Sequence, residues 1–440
     1  MKKLLFISLF AALIAAGCSK DEGPGGQGPK IPGNEIWYTS TDGNIVEPFE
    51  ANFGGAEILS NTYEDGKGVI KFSAPVTTIG WYAFANCRSL TSVTIPDSVT
   101  EIGDSAFAVC SSLTSVTIPD SVTTIENFAF GRCSSLTAFY GKFASADNRC
   151  LIVDGVLTSF APAGLTEYTI PDSVTTIGES AFGHCSSLTS VTIPENVTTI
   201  GRYAFAFCIS LTSVTMLDSV TEIGLLAFKG CSSLEAFYGK FASEDNRCWI
   251  VDGVLISFAP AGLTEYTIPD SVTEIGTDAF GYCSSLTSVT IPNGVTTIGT
   301  DAFSNCTSLT SVTIPDSVTE IGLHAFDSCS SLTSVTIGNS VTMIGWGAFE
   351  YCSNLTSVTI PDSVTKIGGS AFRDCRSLTS VYCKAATPPT LDSDVFKYDD
   401  NGYKILENLT AIYVPRESVE AYKAAENWSE YAHLIQPYDF

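Results

Sequence analysis

The sequence predicts an α/β solenoid, a stack of short coils that each contribute one short parallel strand and one short helical turn. Two observations predict it. Ala-Phe-x-x-Cys recurs eleven times, with its cysteines at Cys87, Cys110, Cys133, Cys185, Cys208, Cys231, Cys283, Cys306, Cys329, Cys352 and Cys375. The spacing is 23 residues except for two intervals of 52, each of which is 23 plus 29 and so hides one longer coil. A fixed period of this size is the mark of a stacked-repeat protein, in which each unit covers the apolar face of the next. Hydrophobic residues make up 45% of the 440, enough apolar surface to exclude disorder for most of the chain.

The line from Leu90 to Ser112 shows how one coil is built. Leu90, Val93 and Ile95 alternate with Ser92 and Thr94, which is the period of a strand with one apolar face. Pro96 stops the strand, and Asp97-Ser98 supply turn chemistry. Val99 and Ile102 return the chain inward, and Gly103 permits a tight bend. Phe107 and Ala106 then stand three and four residues before Cys110, a spacing that predicts one short helical turn. About seven inward side chains at about 1.5–3 kcal/mol each fall short of ordering a coil's backbone at about 1–2 kcal/mol per residue. One coil therefore cannot fold alone, and stacking must supply the difference.

The two long coils carry Val153-Asp154-Gly155-Val156 and Val251-Asp252-Gly253-Val254. Asp-Gly between apolar runs predicts a β-hairpin, and each hairpin is expected to project from the stack, with Cys150 and Cys248 at the bases. Their near-identical surroundings point to duplication of a block of 98 residues, Cys87 to Cys185 and again to Cys283. The chain divides into a leader at 1–17, a flexible tether at 18–34 and an N-terminal β cap at 35–75. The solenoid runs over 76–383, and 384–440 holds a final long coil and a C-terminal helical cap. Ile36-Trp37-Tyr38 and Val69 to Phe72 predict the cap strands, and Leu409 to Pro415 restates the strand line. Val419, Tyr422, Ala425 and Trp428 predict an amphipathic closing helix, and the coils count to 14.

Composition narrows the function. With 47 acidic against 22 basic residues the formal net charge is −25, which argues against a nucleic-acid partner because little would neutralise phosphates. Three histidines, His184, His324 and His433, leave little for acid–base or zinc chemistry. Neither G-x-S-x-G nor H-E-x-x-H occurs. The expectation is a binding protein that is not an enzyme and takes no cofactor or metal. The cysteines are expected to stay reduced, because parallel Cβ vectors about 4.8 Å apart do not converge as a disulfide requires.

Met1-Lys2-Lys3, the apolar run Leu4 to Ala16 and then Gly17-Cys18 form a basic, apolar and small-residue sequence of the kind that is removed on export. Ala15-Ala16-Gly17-Cys18 resembles the lipobox of bacterial lipoproteins, although Ala15 stands where Leu is commonest, and the resemblance implies acylation of Cys18. Ser19-Lys20-Asp21-Glu22 resembles the acidic cluster that directs lipoproteins of gut and oral anaerobes to the cell surface. The line LTSVTIPDSVTxIGxxAFxxCSS itself resembles the BspA-like class of leucine-rich repeats in bacterial surface antigens, over Val76 to Pro415. That resemblance implies a curved, parallel-stranded leucine-rich-repeat solenoid on the outer membrane, attaching to host proteins, glycans, host cells or other bacteria. The alternative is a nutrient-capture or envelope scaffold lipoprotein beside an outer-membrane transporter, facing the periplasm.

Candidate contact residues are those that break the Ser/Thr pattern of the solvent-facing strand positions. Tyr140, Tyr238, Tyr382 and Tyr413 should project on that face, with Glu167 and Glu265 beside them, and tyrosine is an efficient contact residue. Trp81, Tyr82, Tyr203, Phe207, Tyr282, Trp346 and Tyr351 are expected on an outer rim, at positions the fold leaves free in residue type. The recurring Asp-Ser-Val at Ser98, Ser121, Ser173, Ser219, Ser271, Ser317 and Ser363 resembles an O-glycosylation motif of the same bacteria, as well as serving the turn.

Overall fold

A computed structural model describes residues 30–398 and 404–440. Cys18, the leader and most of the tether lie outside the described residues. The described chain is a β-solenoid of about 15 coils with mostly parallel strands and few helices. One ladder is formed by the Ser-Val-Thr strands: Leu90–Thr94 pairs with Ser115–Ile118 and then with Ala138–Gly141, Val93 beside Val116 and Val116 beside Phe139. A second, narrower ladder is made by two-residue strands such as Thr78–Ile79, Glu101–Ile102 and Thr124–Ile125. Columns of identical side chains fill the space inside. Phe84, Phe107 and Phe130 lie face to face with centroids 5.2 Å apart, and Phe303, Phe326, Phe349 and Phe372 repeat the arrangement at 5.0–5.4 Å.

The Ala-Phe-x-x-Cys segment differs from the helical turn its spacing predicts. It is a run of tight turns with two left-handed residues per coil, such as Tyr82 (φ 56°) and Asn86 (φ 59°), or Ser105 (φ 55°) and Val109 (φ 63°). Its amides alternate in direction. Ala83, Ala85 and Cys87 donate to carbonyls three residues back, whereas Tyr82, Phe84 and Asn86 donate to Asp104, Ala106 and Ala108 of the next coil at 2.7–3.2 Å. A helical turn would keep every bond inside the coil and leave the neighbour's carbonyls unpaired. The alternating pattern keeps the same inward spacing and ties the coils together.

The cysteine column has its own bond. Cys110 Sγ donates to the Phe84 carbonyl of the preceding coil at 3.1 Å, and Cys133, Cys208, Cys231, Cys306, Cys329, Cys352 and Cys375 repeat this at 3.1–3.3 Å. Cys185 and Cys283 follow the long coils, where the turn that would present such a carbonyl is missing. The fourteen cysteines from Cys87 to Cys383 are free and buried. Burial pushes the Cys208 and Cys306 thiols up to about 12, so they stay protonated donors.

The hairpins form where Asp-Gly predicts them, with Cys150–Val153 against Val156–Phe160 and Cys248–Val251 against Val254–Phe258. Asp154 (φ 49°) and Gly155 (φ 80°) give the turn its two left-handed residues. The hairpins do not stand clear of the stack as expected. Val156 and Leu157 enter the narrow ladder in parallel with Thr176 and Ile177, and Cys150, Leu151 and Leu157 are fully buried. The reason is apolar content: a free ridge would expose these side chains to water. Each hairpin opens a new stretch of that ladder, and the core divides there into three clusters, Ile36 to Ala161, Cys150 to Ala259 and Cys248 to Ile435.

Both ends are closed. Three antiparallel strands, β1 (Glu35–Ser40), β2 (Ile58–Glu64) and β3 (Lys67–Phe72), cover the first coil, and β1 lies antiparallel to Leu90–Thr94. At the far end helix α1 spans only Val419–Ala424. Ala425 is extended and Asn427 left-handed (φ 61°), so Trp428 enters on a separate turn and donates its indole N–H to the Pro389 carbonyl at 2.8 Å. A last strand, Ile435–Tyr438, pairs in parallel with Ala411–Pro415 and takes the count from the expected 14 to about 15.

A thiol reagent is expected to find Cys87 through Cys383 unreactive in the native chain and all titratable after denaturation without reductant. Oxidised pairs after denaturation would contradict the thiol-to-carbonyl column.

Candidate functional site: the strand face and the block joints

The register places the six expected contact residues on one face. Tyr140 pairs with Thr117, Tyr238 with Thr215, and Tyr382 with Thr359 and Tyr413, so the tyrosines continue the threonine column. Glu167 and Glu265 pair with Ser190 and Ser288 and continue the serine column. Tyr140, Tyr238, Glu167 and Glu265 are exposed and stand singly, at the ends and starts of separate stretches of the ladder. Tyr382 and Tyr413 are brought together, their rings stacked at 4.8 Å. The structure adds Tyr438, 5.4 Å from each of them, and Phe440, 5.0 Å from Tyr438. These two additions are 42% and 51% exposed. Arg416 and Asp439 form a two-pronged ion pair beside them at 2.8 and 3.1 Å. Sequence reasoning missed Tyr438 and Phe440 because Ile-Gln-Pro-Tyr does not restate the strand line.

A second feature lies on the turn side. The long coils have no Ala-Phe-x-x-Cys turn, so the column of turns is gapped at each block joint. At the second joint the gap is a narrow cleft with about 20 Å³ of room for a water-sized molecule, lined by Phe228, Lys229, Trp249, Phe258, Asp278 and Tyr282. Lys229 Nζ bridges it to Asp278 at 2.8 Å and lies 5.0 Å from the Tyr282 ring centroid. Burial pushes the Asp278 carboxyl up to about 6, against the opposing pull of Lys229. At the first joint Arg132 meets His184, whose ring stacks on Phe207 at 4.8 Å. Burial, with Arg132 beside it, holds the His184 imidazole down at about 4.

Behind both clefts the inserted Asp-Asn-Arg-Cys segment is fixed by the same staples. Tyr168 donates to Asp147 at 3.0 Å and contacts Cys150 Sγ at 3.1 Å, while Arg149 donates to the Ala161 and Ala163 carbonyls at 3.2 and 2.9 Å. Tyr266, Asp245, Cys248 and Arg247 repeat every one of these bonds.

The rim aromatics sit where expected, with Tyr82, Tyr203, Phe207, Tyr282 and Tyr351 all on left-handed backbone and Trp81 and Trp346 exposed beside it. Of the Asp-Ser-Val serines, Ser98, Ser121, Ser317 and Ser363 donate to a valine carbonyl one coil back at 2.6–2.7 Å. Ser219 Oγ is buried. Ser173 and Ser271, which follow the hairpins, are exposed.

A family model for the BspA type leucine-rich repeat region matches residues 57–146, 157–242 and 256–379, in six copies. The chain belongs to this family. The two gaps in the match fall on the inserted segments and hairpins of the block joints, so the joints are where this BspA-type protein departs from its family's line. Among solved structures it is similar to a leucine-rich repeat protein from Bacteroides ovatus, at 30% identity over 86% of this chain and 90% of that one, with a TM-score of 0.46. A leucine-rich cell surface protein from Faecalibacterium prausnitzii is 24% identical over 95% of both chains, with a TM-score of 0.45. The pneumococcal vaccine antigen PcpA is 18% identical over 87% of this chain and 88% of that one, with a TM-score of 0.47. No curated protein matches the chain. Leucine-rich-repeat solenoids are typically non-catalytic binding scaffolds.

The cleft pair yields a pH-dependent prediction. Removing one partner of a buried ion pair costs about 3 kcal/mol when the other stays charged. Lys229→Met should therefore destabilise the second joint by about that much at pH 7.5. The folded-state pKa of Asp278 lies above its unfolded value, so the folded chain takes up the proton more readily, and the loss should shrink at pH 5, where Asp278 is largely neutral. Chemical denaturation at the two pH values checks this, and an equal loss at both would contradict it.

Proposed function

We propose that this BspA-type protein is a cell-surface lipoprotein, held in the outer membrane by acyl chains on Cys18, that binds a host or bacterial surface protein or glycan through its strand face. The reading is of the adhesin type and involves no catalysis. The observation that carries it is the four-ring group of Tyr382, Tyr413, Tyr438 and Phe440, packed together at one end of a face made mostly of serine and threonine. Packed aromatic rings lose little side-chain freedom on binding and offer both apolar faces and hydroxyl edges, which is why such groups dominate contact surfaces. Tyr140, Tyr238, Glu167 and Glu265 extend the contact along the same face as secondary points. The acidic balance keeps anionic surfaces away and leaves recognition to shape and hydrogen bonding.

The double substitution Tyr413→Ala with Tyr438→Ala is expected to lower attachment of the purified chain to host epithelial cells at least about tenfold, the loss of a small hot spot, with an unchanged melting curve. Undiminished attachment would remove the aromatic group from the contact. Orientation has its own test. Protease added to intact cells should destroy a C-terminal epitope of the solenoid while a periplasmic control survives. Survival of the epitope in a protein that is digestible after lysis would favour the envelope-scaffold alternative.

A further inference from the structure

Three departures from the repeat meet at one place on the turn side. Two residues before the cysteine, the coils carry Ala, Gly, Ser, Lys or Arg, except in two consecutive coils, which carry Asp327 and Glu350. Five residues before the cysteine, His324 is the one histidine of the column and Gly347 its one glycine. These positions are remote in sequence and adjacent in the stack. One nitrogen of His324 and one carboxylate oxygen each from Asp327 and Glu350 lie within 4.8 Å of one another.

The geometry is that of groups gathered without being bonded. His324 Nδ1 is 3.8 Å from Glu350 Oε2, beyond hydrogen-bond reach. The Glu350 side chain is only 3% exposed. Its other oxygen faces the Arg373 guanidinium, which fixes the carboxylate so that Oε2 turns toward the histidine. Asp327 accepts the Ser328 hydroxyl on Oδ2 at 3.2 Å. The space between the groups exists because residue 347 has no side chain: a Cβ there would lie 2.5 Å from His324 Nδ1 and 2.9 Å from Glu350 Oε2. Trp346 packs edge-on to the His324 ring at 4.5 Å and limits its swing.

We propose that His324, Asp327 and Glu350 form a divalent-cation site that bridges two consecutive coils and takes a first-row transition ion of the zinc class. One imidazole and two carboxylates suit such an ion, whereas Ca²⁺ and Mg²⁺ take oxygen-only sets. Small side-chain rotations bring the three atoms to the ~2.0–2.2 Å that zinc requires. Arg373 supplies the outer-shell contact that ligating carboxylates commonly have. Three protein ligands leave the ion an open position. Three scattered histidines leave little for zinc when read along the chain, whereas this site needs only one of them.

Isothermal titration of the full chain with Zn²⁺, and separately with Ca²⁺, tests the site. The expected result is one Zn²⁺ per chain with a Kd of about 10 µM or tighter, and Ca²⁺ at least tenfold weaker. His324→Ala and Gly347→Ser should each weaken Zn²⁺ at least about tenfold, the usual cost of disturbing a metal shell. Gly347→Ser fills the gap without disturbing the fold, because Ser105, Ser180 and Ser370 already occupy this left-handed position in other coils. Both variants should melt like the parent in chelator. No Zn²⁺ binding by the parent at 100 µM, or parent-like binding by both variants, would overturn the site. Equal affinity for Ca²⁺ would overturn the assignment to the zinc class.

Discussion

Among the described residues no coil satisfies its own backbone. Both strand ladders and half of the turn amides bond to a neighbouring coil, the turn amides donating to the following coil and amides such as Thr100 and Gly103 to the preceding one, so each circuit donates to and accepts from both of its neighbours. That constraint sets the period, because an insertion inside a coil would throw every amide out of register with the next carbonyl. It also sets the close approach of successive turns. The glycine of each Ile-Gly lies directly over its predecessor: a Cβ at Gly345 would sit 2.5 Å from the Gly322 carbonyl oxygen, and one at Gly322 would sit 2.6 Å from the Gly299 carbonyl carbon. The cysteine column follows from the same geometry, since a small, weakly polar donor there can reach the phenylalanine carbonyl of the coil before without a charge to bury.

The block joints show what happens when one connection is left out. Each long coil supplies strands but no Ala-Phe-x-x-Cys turn, so the turn column, the narrow ladder and the apolar core all break together. The Asp-Arg-Tyr-Cys staples behind the break are the same in both blocks. The residues lining the clefts differ, with Ser180 and His184 of the first replaced by Asp278 and Tyr282 in the second, 98 residues on. The supporting bonds are held constant while the surface varies, which is the usual division of labour between framework and contact.

Much of this was legible in the sequence because a 23-residue period fixes which residues become neighbours. The inward columns, the hairpin turns at Asp154-Gly155 and Asp252-Gly253, and the tyrosines on the threonine column all follow from that register. The errors came from features that periodicity does not encode. Apolar residues three and four positions before the cysteine fit a helical turn and a run of tight turns equally well, and only the direction of the Phe84 and Asn86 amides separates the two. The hairpins were expected to project because Asp-Gly announces a turn without saying which ladder receives the strands. The clefts were hidden in the spacing of 52 between cysteines, which counts a missing turn as well as an added coil. His324, Asp327 and Glu350 were overlooked because they were read along the chain, where 26 residues separate the first from the last, and not across the stack.

Amide hydrogen exchange of the full chain, followed by mass spectrometry of short peptides, tests the dependence of each coil on the next most directly. The Phe303, Phe326 and Phe349 amides donate to Ala325, Ala348 and Ala371 of the following coil at 2.7–2.8 Å. Peptides spanning these turns should exchange as slowly as the Ser-Val-Thr strands, with protection dropping at residues 128–132 and 226–230, the turns that face the gaps in the turn column. Rapid exchange of the turns, with protection confined to the strands, would contradict the account.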